Sequence, residues 1–520
     1  MLSALIWIPL LGAVVIALVP GFQTENRARL SALAVIAATL GLIAYLGLQF
    51  DTALVEAQFT ENLPWLDALG LNYKLGMDGL AFPLIVLNAI LTGISILCSD
   101  RNTNRPRLFY SLILIIYGAV AGAFLAQNLL LFFIFYELEL IPLYLLIAIW
   151  GGQRRSYAAT KFLIYTAVSG ILILGGFLGI TWLTGATSFD YDPALIETLS
   201  MTQQFILLGA ILVGFGIKVP FVPFHTWLPD AHVEAPTPVS VLLAGVLLKL
   251  GTYGLLRFGV GLFPDAWRVI APYLATWAAV SVLYGAVLAI AQTDMKKMVA
   301  YSSVSHMGYI LLATAAATPL SLVATVLQMV SHGLISGLLF VLVGIVYKKT
   351  GTRDLRVLRG LLNPERGLPV VGTLMILGVM ASAGQPGMVG FIAEFLVFRG
   401  SLAAFPIQTY LCIVGTGLTA VYFLLLVNRA FFGRLATGKK AKVDDQKDVW
   451  IPQPTSFEQA PAFVLAAFII VLGLQPGWLL NWTEATTISL VPSNPPMIQL
   501  SAVSPQITET PRSIALAPQL

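Results

Sequence analysis

Cysteine is all but missing from this sequence: Cys98 and Cys412 stand far apart, each alone in an apolar run. Neither the four-thiolate spacing of an iron–sulfur cluster nor a paired zinc motif can be assembled from them. Charge is nearly as scarce. Asp, Glu, Lys and Arg make up 10% of the residues against 58% hydrophobic ones, and the mean hydropathy is +0.86. That balance excludes a string of water-soluble domains and places the chain in lipid. No phosphate-cradling G-x-x-x-x-G-K-[ST] loop occurs, so nucleotide hydrolysis is not a driving reaction. The first apolar run, Met1 to Val19, lacks a basic head, and the Pro20-Gly21 turn that follows is no small-residue cleavage site; the run reads as a retained helix. The net charge of +4 does not indicate nucleic acid, because the basic residues fall in connections between apolar runs.

What is abundant is the charge-free stretch of about twenty residues, the length a helix needs to cross roughly 30 Å of hydrocarbon. About fourteen such stretches follow one another, which predicts an all-α integral membrane protein. Among them are runs over 129–150, 203–224, 237–258, 369–398 and 461–480. Asp51 to Asp78 reads as a long, mostly acidic loop, Arg434 to Pro461 as a Lys-rich one, and the Ser/Thr/Pro-rich tail after Trp482 as extended. Most Lys and Arg fall on odd-numbered connections, including Arg154, Lys296, the Lys348 to Arg366 cluster and the Arg429 to Lys447 cluster. Even connections hold little beyond Lys74, Arg257, Arg268 and Arg399. By the positive-inside rule both termini lie on the non-cytoplasmic side. The string Gly415-Thr416-Gly417-Leu418-Thr419-Ala420 matches a dinucleotide fingerprint by letter, but it lies inside an apolar span with no strand before it and carries no such function.

Against this background a few ionisable residues stand where lipid should be. Glu137 and Glu139 sit in FFIFYELELIPLY, Lys218 follows a long uncharged stretch, Lys249 is central in VSVLLAGVLLKLGTYGLL, and His306, His332 and Glu394 lie in later apolar runs. Each buried charge costs on the order of 2.5–3.5 kcal/mol on insertion scales and so calls for a partner or a use. A single buried imidazole is often a packing residue, and a Lys near a helix end often snorkels. Carboxylate, amine and imidazole recurring together at mid-depth are better explained as a relay of protons. Moving Glu137 toward or away from Lys218 would decide whether the lysine holds its proton, and imidazoles can pass one either way. Glu139 lies about 200° around the helix from Glu137, so the two do not share a partner, and Glu139 is left to face another helix or subunit.

Two spans are interrupted. Pro220 and Pro223 follow Lys218, and Ala383-Gly384-Gln385-Pro386-Gly387 breaks the run that carries Glu394. Paired interrupted helices in two halves suggest inverted repeats with polar sites near the breaks; two unrelated kinks are the alternative. His225, Asp230 and His232 in PFHTWLPDAH lack a further strong ligand for a metal and read as a loop closing one end of the proton path.

The strings YELELIPLY, IKVPFVPFHTWLPDAHVEAPTPVSVLLAGVLLKLGTYGLLR, TDMKKMVAYSSVSHMGY, SHGLISGLLF and GMVGFIAEF resemble the antiporter-like membrane subunits of respiratory complex I and of its photosynthetic relative, NDH-1. The likeness runs from about Phe109 to Phe432 and is most specific at PFHTWLPDAH. The resemblance implies fourteen helices, with helices 4 to 8 and 9 to 13 forming two inverted five-helix repeats. The corresponding divisions are an N-terminal segment 1–104, repeats over 105–260 and 261–435, and a basic loop, last helix and tail over 436–520. It also implies a relay of Glu137, Lys218, Lys249, His306, His332 and Glu394, with Glu139, His225, Asp230 and His232 in secondary positions. Glu394 stands where two sister subunits usually carry lysine, and Gln385 where an aliphatic residue is usual.

By the same resemblance this chain holds no cofactor. Iron–sulfur clusters and quinone belong to partner subunits, which include a hydrophilic arm, small subunits and the membrane subunits called chain 2 and chain 5. Lipids surround it, nucleic acid is no partner, and the implied location is the thylakoid membrane with lumenal termini. The rival reading is a subunit of a stand-alone cation/proton antiporter.

Overall fold

The computed structural model describes residues 1–22, 24–100, 103–437 and 451–492. Its body is a bundle of helices, which is what hydrocarbon imposes on a backbone that must satisfy its own polar groups. Among the described residues ten helical spans are long and apolar enough to cross a membrane, and three shorter apolar helices accompany them: Leu2–Leu18 (α1), Ala81–Leu97 (α3) and Pro369–Ser382 (α16). The first half continues with α2 (Glu25–Gln49), α4 (Pro106–Leu125), α5 (Leu129–Leu138), α6 (Leu140–Trp150), α7 (Arg155–Thr184), the single turn α8 (Ala194–Glu197) and α9 (Met201–Lys218). After α10 (Trp227–Glu234), one span is assembled from α11 (Thr237–Leu242), a π-helical turn (Leu243–Leu247), α12 (Leu248–Gly254) and a second π-helical turn (Leu255–Val260). The second half holds α13 (Pro264–Ile290), α14 (Met295–Ala316), α15 (Pro319–Thr350), α17 (Val389–Leu402), α18 (Pro406–Phe431), α19 (Ser456–Leu474) and α20 (Gly477–Ser489).

Two of the spans that carry ionisable residues are the ones most enclosed by other helices. The window of Thr237–Val260 is wholly buried and that of Pro319–Thr350 is 94% buried, whereas Glu25–Gln49 is only 28% buried and faces outward. In a bilayer the apolar side chains of an outer helix meet lipid at no cost, so the inner helices are left to hold what lipid would reject. The two inner spans cross closely where Gly245 and Gly333 meet: a Cβ on Gly333 would stand 3.1 Å from the Gly245 carbonyl oxygen. Small residues permit that approach.

The segment read as an acidic loop is a β-hairpin. β1 (Gln58–Leu66) pairs antiparallel with β2 (Leu71–Met77), with Gly70 at φ +63 closing the turn. The sequence hides it because β1 mixes polar and apolar residues without regular alternation, carries Pro64, and pairs with register shifts. Asp190 pins it: Lys74 pairs with this carboxylate at 3.0 Å, and Asn128 and Asn72 donate to it at 2.9 and 3.4 Å. Burial alone would raise the pKa of Asp190, but the hydrogen bonds from Asn128 and Lys74 outweigh it and hold the group below its usual range. A carboxylate depressed in the folded state stabilises above its unfolded pKa and loses that contribution as pH falls through the folded one. The hairpin is therefore expected to stay docked at neutral pH and to loosen only in acid below the ordinary aspartate range. Asp190→Asn should loosen it at every pH, seen as faster hydrogen exchange of the β2 amides alone.

The end of the described chain also departs from expectation. The last span starts at Ser456 and stops at Leu474, and α20 turns back through Gln475-Pro476 to reach Ser489, well beyond Trp482. Thr486 accepts a hydrogen bond from the Gly79 amide at 3.0 Å, so this helix closes over the start of α3. The Arg429 to Lys447 cluster lies only in part within the described residues, and the tail beyond 492 lies outside them.

Candidate proton relay

Helix α9 ends at Lys218 because Pro220 cannot donate to the helical ladder. The carbonyls freed at this depth need donors. The Trp227 indole N–H supplies Ile217 at 2.9 Å, and the Phe221 amide supplies Gly216 at 2.9 Å. Lys218 sits at the helix C-terminus, where a cation is favoured, and is 1% exposed.

Its counter-ion is Glu139, itself fully buried, and the two form an ion pair. The ammonium also lies 4.1 Å from the centre of the Tyr136 ring. The expected Glu137–Lys218 pair is thus corrected. The cause is Pro142, which leaves Leu138 without a ladder donor, so the span divides between α5 and α6 at Glu139. The break turns Glu139 inward toward α9. Glu137 instead lies against Gly170 of α7, where any side chain in place of the glycine would strike its carboxylate.

Lys249 sits in the short α-helical piece between the two π turns, which widen the helix and commonly mark working sites. Its Nζ donates to the Ala244 carbonyl at 2.6 Å and meets His332 Nδ1 at 2.7 Å. The His332 and His306 rings are 5.7 Å apart, centre to centre. His306 Nδ1 stands 3.5 Å from Glu394 Oε1, and its Nε2 is 3.1 Å from Ser382 Oγ at the broken end of α16. Glu394 accepts from Thr416 Oγ1 at 3.1 Å, and Thr416 is joined at 3.1 Å to the Tyr309 hydroxyl. Gln328 Nε2 reaches His306 Nδ1 at 3.5 Å.

Four of the residues singled out in the sequence, Lys249, His332, His306 and Glu394, thus form one row of contacts, in that order. Lys218 with Glu139 forms a second cluster. Among the described residues no hydrogen bond or ion pair joins Lys218 to Lys249, although their helices touch where Gly251 faces Lys218 and Val219.

The secondary residues disperse. PFHTWLPDAH is not a loop but a 3₁₀ turn (Phe224–Thr226) leading into α10. His225 lies against the Tyr284 ring at 5.3 Å, Asp230 pairs with Lys161 at 2.8 Å, and His232 stacks on Phe340 at 4.5 Å. No group of three or more metal-ligating side chains occurs among the described residues. Gln385 is exposed and does not join the row.

Several participants were invisible in the sequence. Ser382, Thr416, Tyr309 and Gln328 are uncharged and common in apolar helices, so nothing in the letters marks them. Asp78 and Arg257, both read as loop residues, form a buried ion pair against Tyr253. A signal did exist for that pair: Arg257 falls at the end of an apolar run eight residues past Lys249, two helical turns along the same span.

The model of the NADH:quinone oxidoreductase/Mrp antiporter transmembrane family matches residues 126–419, which contain every member of both clusters. The chain is 42% identical to the NAD(P)H-quinone oxidoreductase chain 4 1 of Synechococcus sp. (strain JA-3-3Ab), over 94% of this chain and 92% of that one. It is 37% identical to the NAD(P)H-quinone oxidoreductase chain 4-3 of a Nostoc species, over 98% and 97%. Among solved structures, a chain of respiratory complex I from Thermus thermophilus superposes with a TM-score of 0.82 at 26% identity, covering 94% of this chain and all of that one. A chain of the Mrp complex from Dietzia sp. superposes with a TM-score of 0.83 at 21% identity, covering 94% and 97%, a likeness of fold.

Proposed function

Because this chain belongs to the NADH:quinone oxidoreductase/Mrp antiporter family of transmembrane subunits, we infer that its buried charges carry protons across the membrane along Lys249, His332, His306 and Glu394. The chain is a proton-translocating subunit of an NDH-1 or complex I type quinone oxidoreductase and works with redox partners. The observation that supports the assignment of residues is the row from the Lys249 ammonium to the Glu394 carboxylate, with 2.7 Å at one end, 3.5 Å at the other and the two imidazole rings 5.7 Å apart between them, centre to centre. In this reading Lys218–Glu139 is the switch. Charge arriving from a redox partner draws the two apart or together, and the lysine releases or holds its proton accordingly. Water or a small helix movement at Gly251 bridges Lys218 to Lys249.

The finer architecture belongs to the same proposal. Fourteen spans, with two inverted five-helix repeats broken after Lys218 and before Glu394, account for the polar centres lying beside the two interruptions. Chain 2, chain 5 and small subunits flank this subunit, and a hydrophilic arm holds the iron–sulfur clusters and meets the quinone. The relatives in Synechococcus and Nostoc point to a cyanobacterial thylakoid. The positive-inside rule puts both termini in the lumen.

The test is proton uptake by the purified complex in sealed vesicles, followed with a pH-sensitive dye. Acidification that starts with electron donor and stops with a quinone-site inhibitor is the expected result. Sodium-dependent proton exchange by vesicles holding this chain without any quinone-reducing subunit would instead establish the stand-alone antiporter.

A further inference from the structure

At the end of the bundle where Lys348 and Lys349 lie, the starts of α2 and α19 meet the ends of α3 and α15 around a cavity of about 190 Å³. That is many times the roughly 10–15 Å³ one water needs. Arg29 of α2 forms part of its wall and is 6% exposed. Its Nη2 donates to the Leu97 carbonyl at 2.5 Å and its guanidinium lies 4.6 Å from the Phe457 ring centre, while Nε has no hydrogen-bond partner.

No carboxylate among the described residues pairs with Arg29. The two acids that line the cavity are engaged elsewhere, Asp100 with Lys348 at 3.0 Å, and Glu458 with Lys348 at 3.1 Å and Lys349 at 2.9 Å, and Glu25, one turn before Arg29 on α2, accepts from the Tyr110 hydroxyl at 3.4 Å. The two lining carboxylates thus answer two lysines, and no ion pair among the described residues reaches the guanidinium. A permanently charged group buried without a counter-ion is costly, and its planar fork of donors suits a tetrahedral oxyanion.

We propose that this cavity binds the singly charged phosphate or sulfonate head of an acidic membrane lipid, with Arg29 as its counter-ion. The level is right for a head group, because four helix ends surround the site on the basic side of the bundle. The walls are right as well. Val341, Ile345 and Phe457 line it, and α2 and α19 are the least buried of the spans, at 28% and 33%, so an acyl chain leaving the cavity meets the lipid-facing surface. Lys348, 44% exposed, stands at the rim within reach of the same oxyanion.

The experiment uses the whole complex, stripped of lipid by detergent exchange and supplied with dihexanoyl phosphatidylglycerol, inorganic phosphate or an uncharged alkyl maltoside. Native mass spectrometry reads the bound molecule on this subunit. Saturable retention of the phosphatidylglycerol, unaffected by millimolar phosphate, is expected. Arg29→Gln should weaken it about tenfold, the loss of a charge-assisted hydrogen bond, and Arg29→Lys, which keeps the charge but not the planar fork, should fall between Arg29→Gln and the wild type. Equal competition by phosphate would keep the oxyanion site and overturn the lipid as its source. Undiminished retention in Arg29→Gln, or no retention by the wild type, would overturn the site. Should Arg29→Gln fail to assemble, Ile345→Phe decides the matter, since it fills the cavity with the charge in place: lipid displaced supports the proposal and lipid kept defeats it.

Discussion

Replacing Lys218 by alanine is expected to lower the protons moved per electron by on the order of a hundredfold, the scale at which a positioned proton donor contributes, while quinone reduction in the partner subunits continues. Among the described residues of the first half, Lys218 is the one amine that is both buried and paired with a buried carboxylate. Glu139→Gln should come close to the same loss. Glu137→Gln should cost less, because Glu137 forms no ion pair with Lys218 among the described residues and lies against α7. Breaking a buried pair from one side leaves a stranded charge worth about 3–5 kcal/mol of destabilisation, so a lost activity could reflect a lost subunit. The double variant Lys218→Met with Glu139→Gln separates the two. Removing both charges together is nearly neutral for stability, so this variant should assemble, judged by native gel, and still not pump. A larger loss from Glu137→Gln than from Glu139→Gln would move the switch to the residue that the sequence alone favoured.

That contrast marks the boundary of what the letters carry. Spans and mid-depth charges are legible because one apolar run differs from the next at single ionisable residues, and Lys218, Lys249, His306, His332 and Glu394 announce themselves in that way. The partner of Lys218 is not legible. Glu137 and Glu139 differ by two positions, and the choice between them rests on how far the chain turns at the break before Pro142, a tertiary matter. The π turns on either side of Lys249 leave no mark in LLAGVLLKLGTYGLLRFGV, since the same residues would make an unbroken α-helix. Ser382 and Thr416 acquire meaning only where α16 stops and α18 passes Glu394. The hairpin over Gln58–Met77 is illegible for a different reason: its strands mix polar and apolar residues without alternation, so they resemble loop whether or not they pair. Arg29 reads as one more basic loop residue, and only its burial beside an unfilled charge requirement distinguishes it.

Glu394 is the other position where a single atom should decide the outcome. Glutamine in its place keeps the volume and still offers an oxygen to the Thr416 hydroxyl, now 3.1 Å from Oε2. It cannot take a proton, and its amide would face His306 Nδ1 across the present 3.5 Å gap. Folding should therefore survive, because a neutral isostere replaces a buried acid that is 3% exposed. Pumping should fall on the order of a hundredfold, as for loss of any positioned proton-transfer group. Thr416→Val supplies the comparison: it removes one hydrogen bond from the carboxylate and the link to Tyr309 but leaves an acid at the end of the row. Its loss should be several-fold at most, in keeping with about 1 kcal/mol for a single hydrogen bond. The ratio of protons to electrons, measured in sealed vesicles for both variants in assembled complex, separates a group that carries the proton from groups that hold it in place. If Glu394→Gln pumps as the wild type does, the row ends at His306, and Ser382 at the open end of α16, 3.1 Å from Nε2, becomes the next atom the proton can reach.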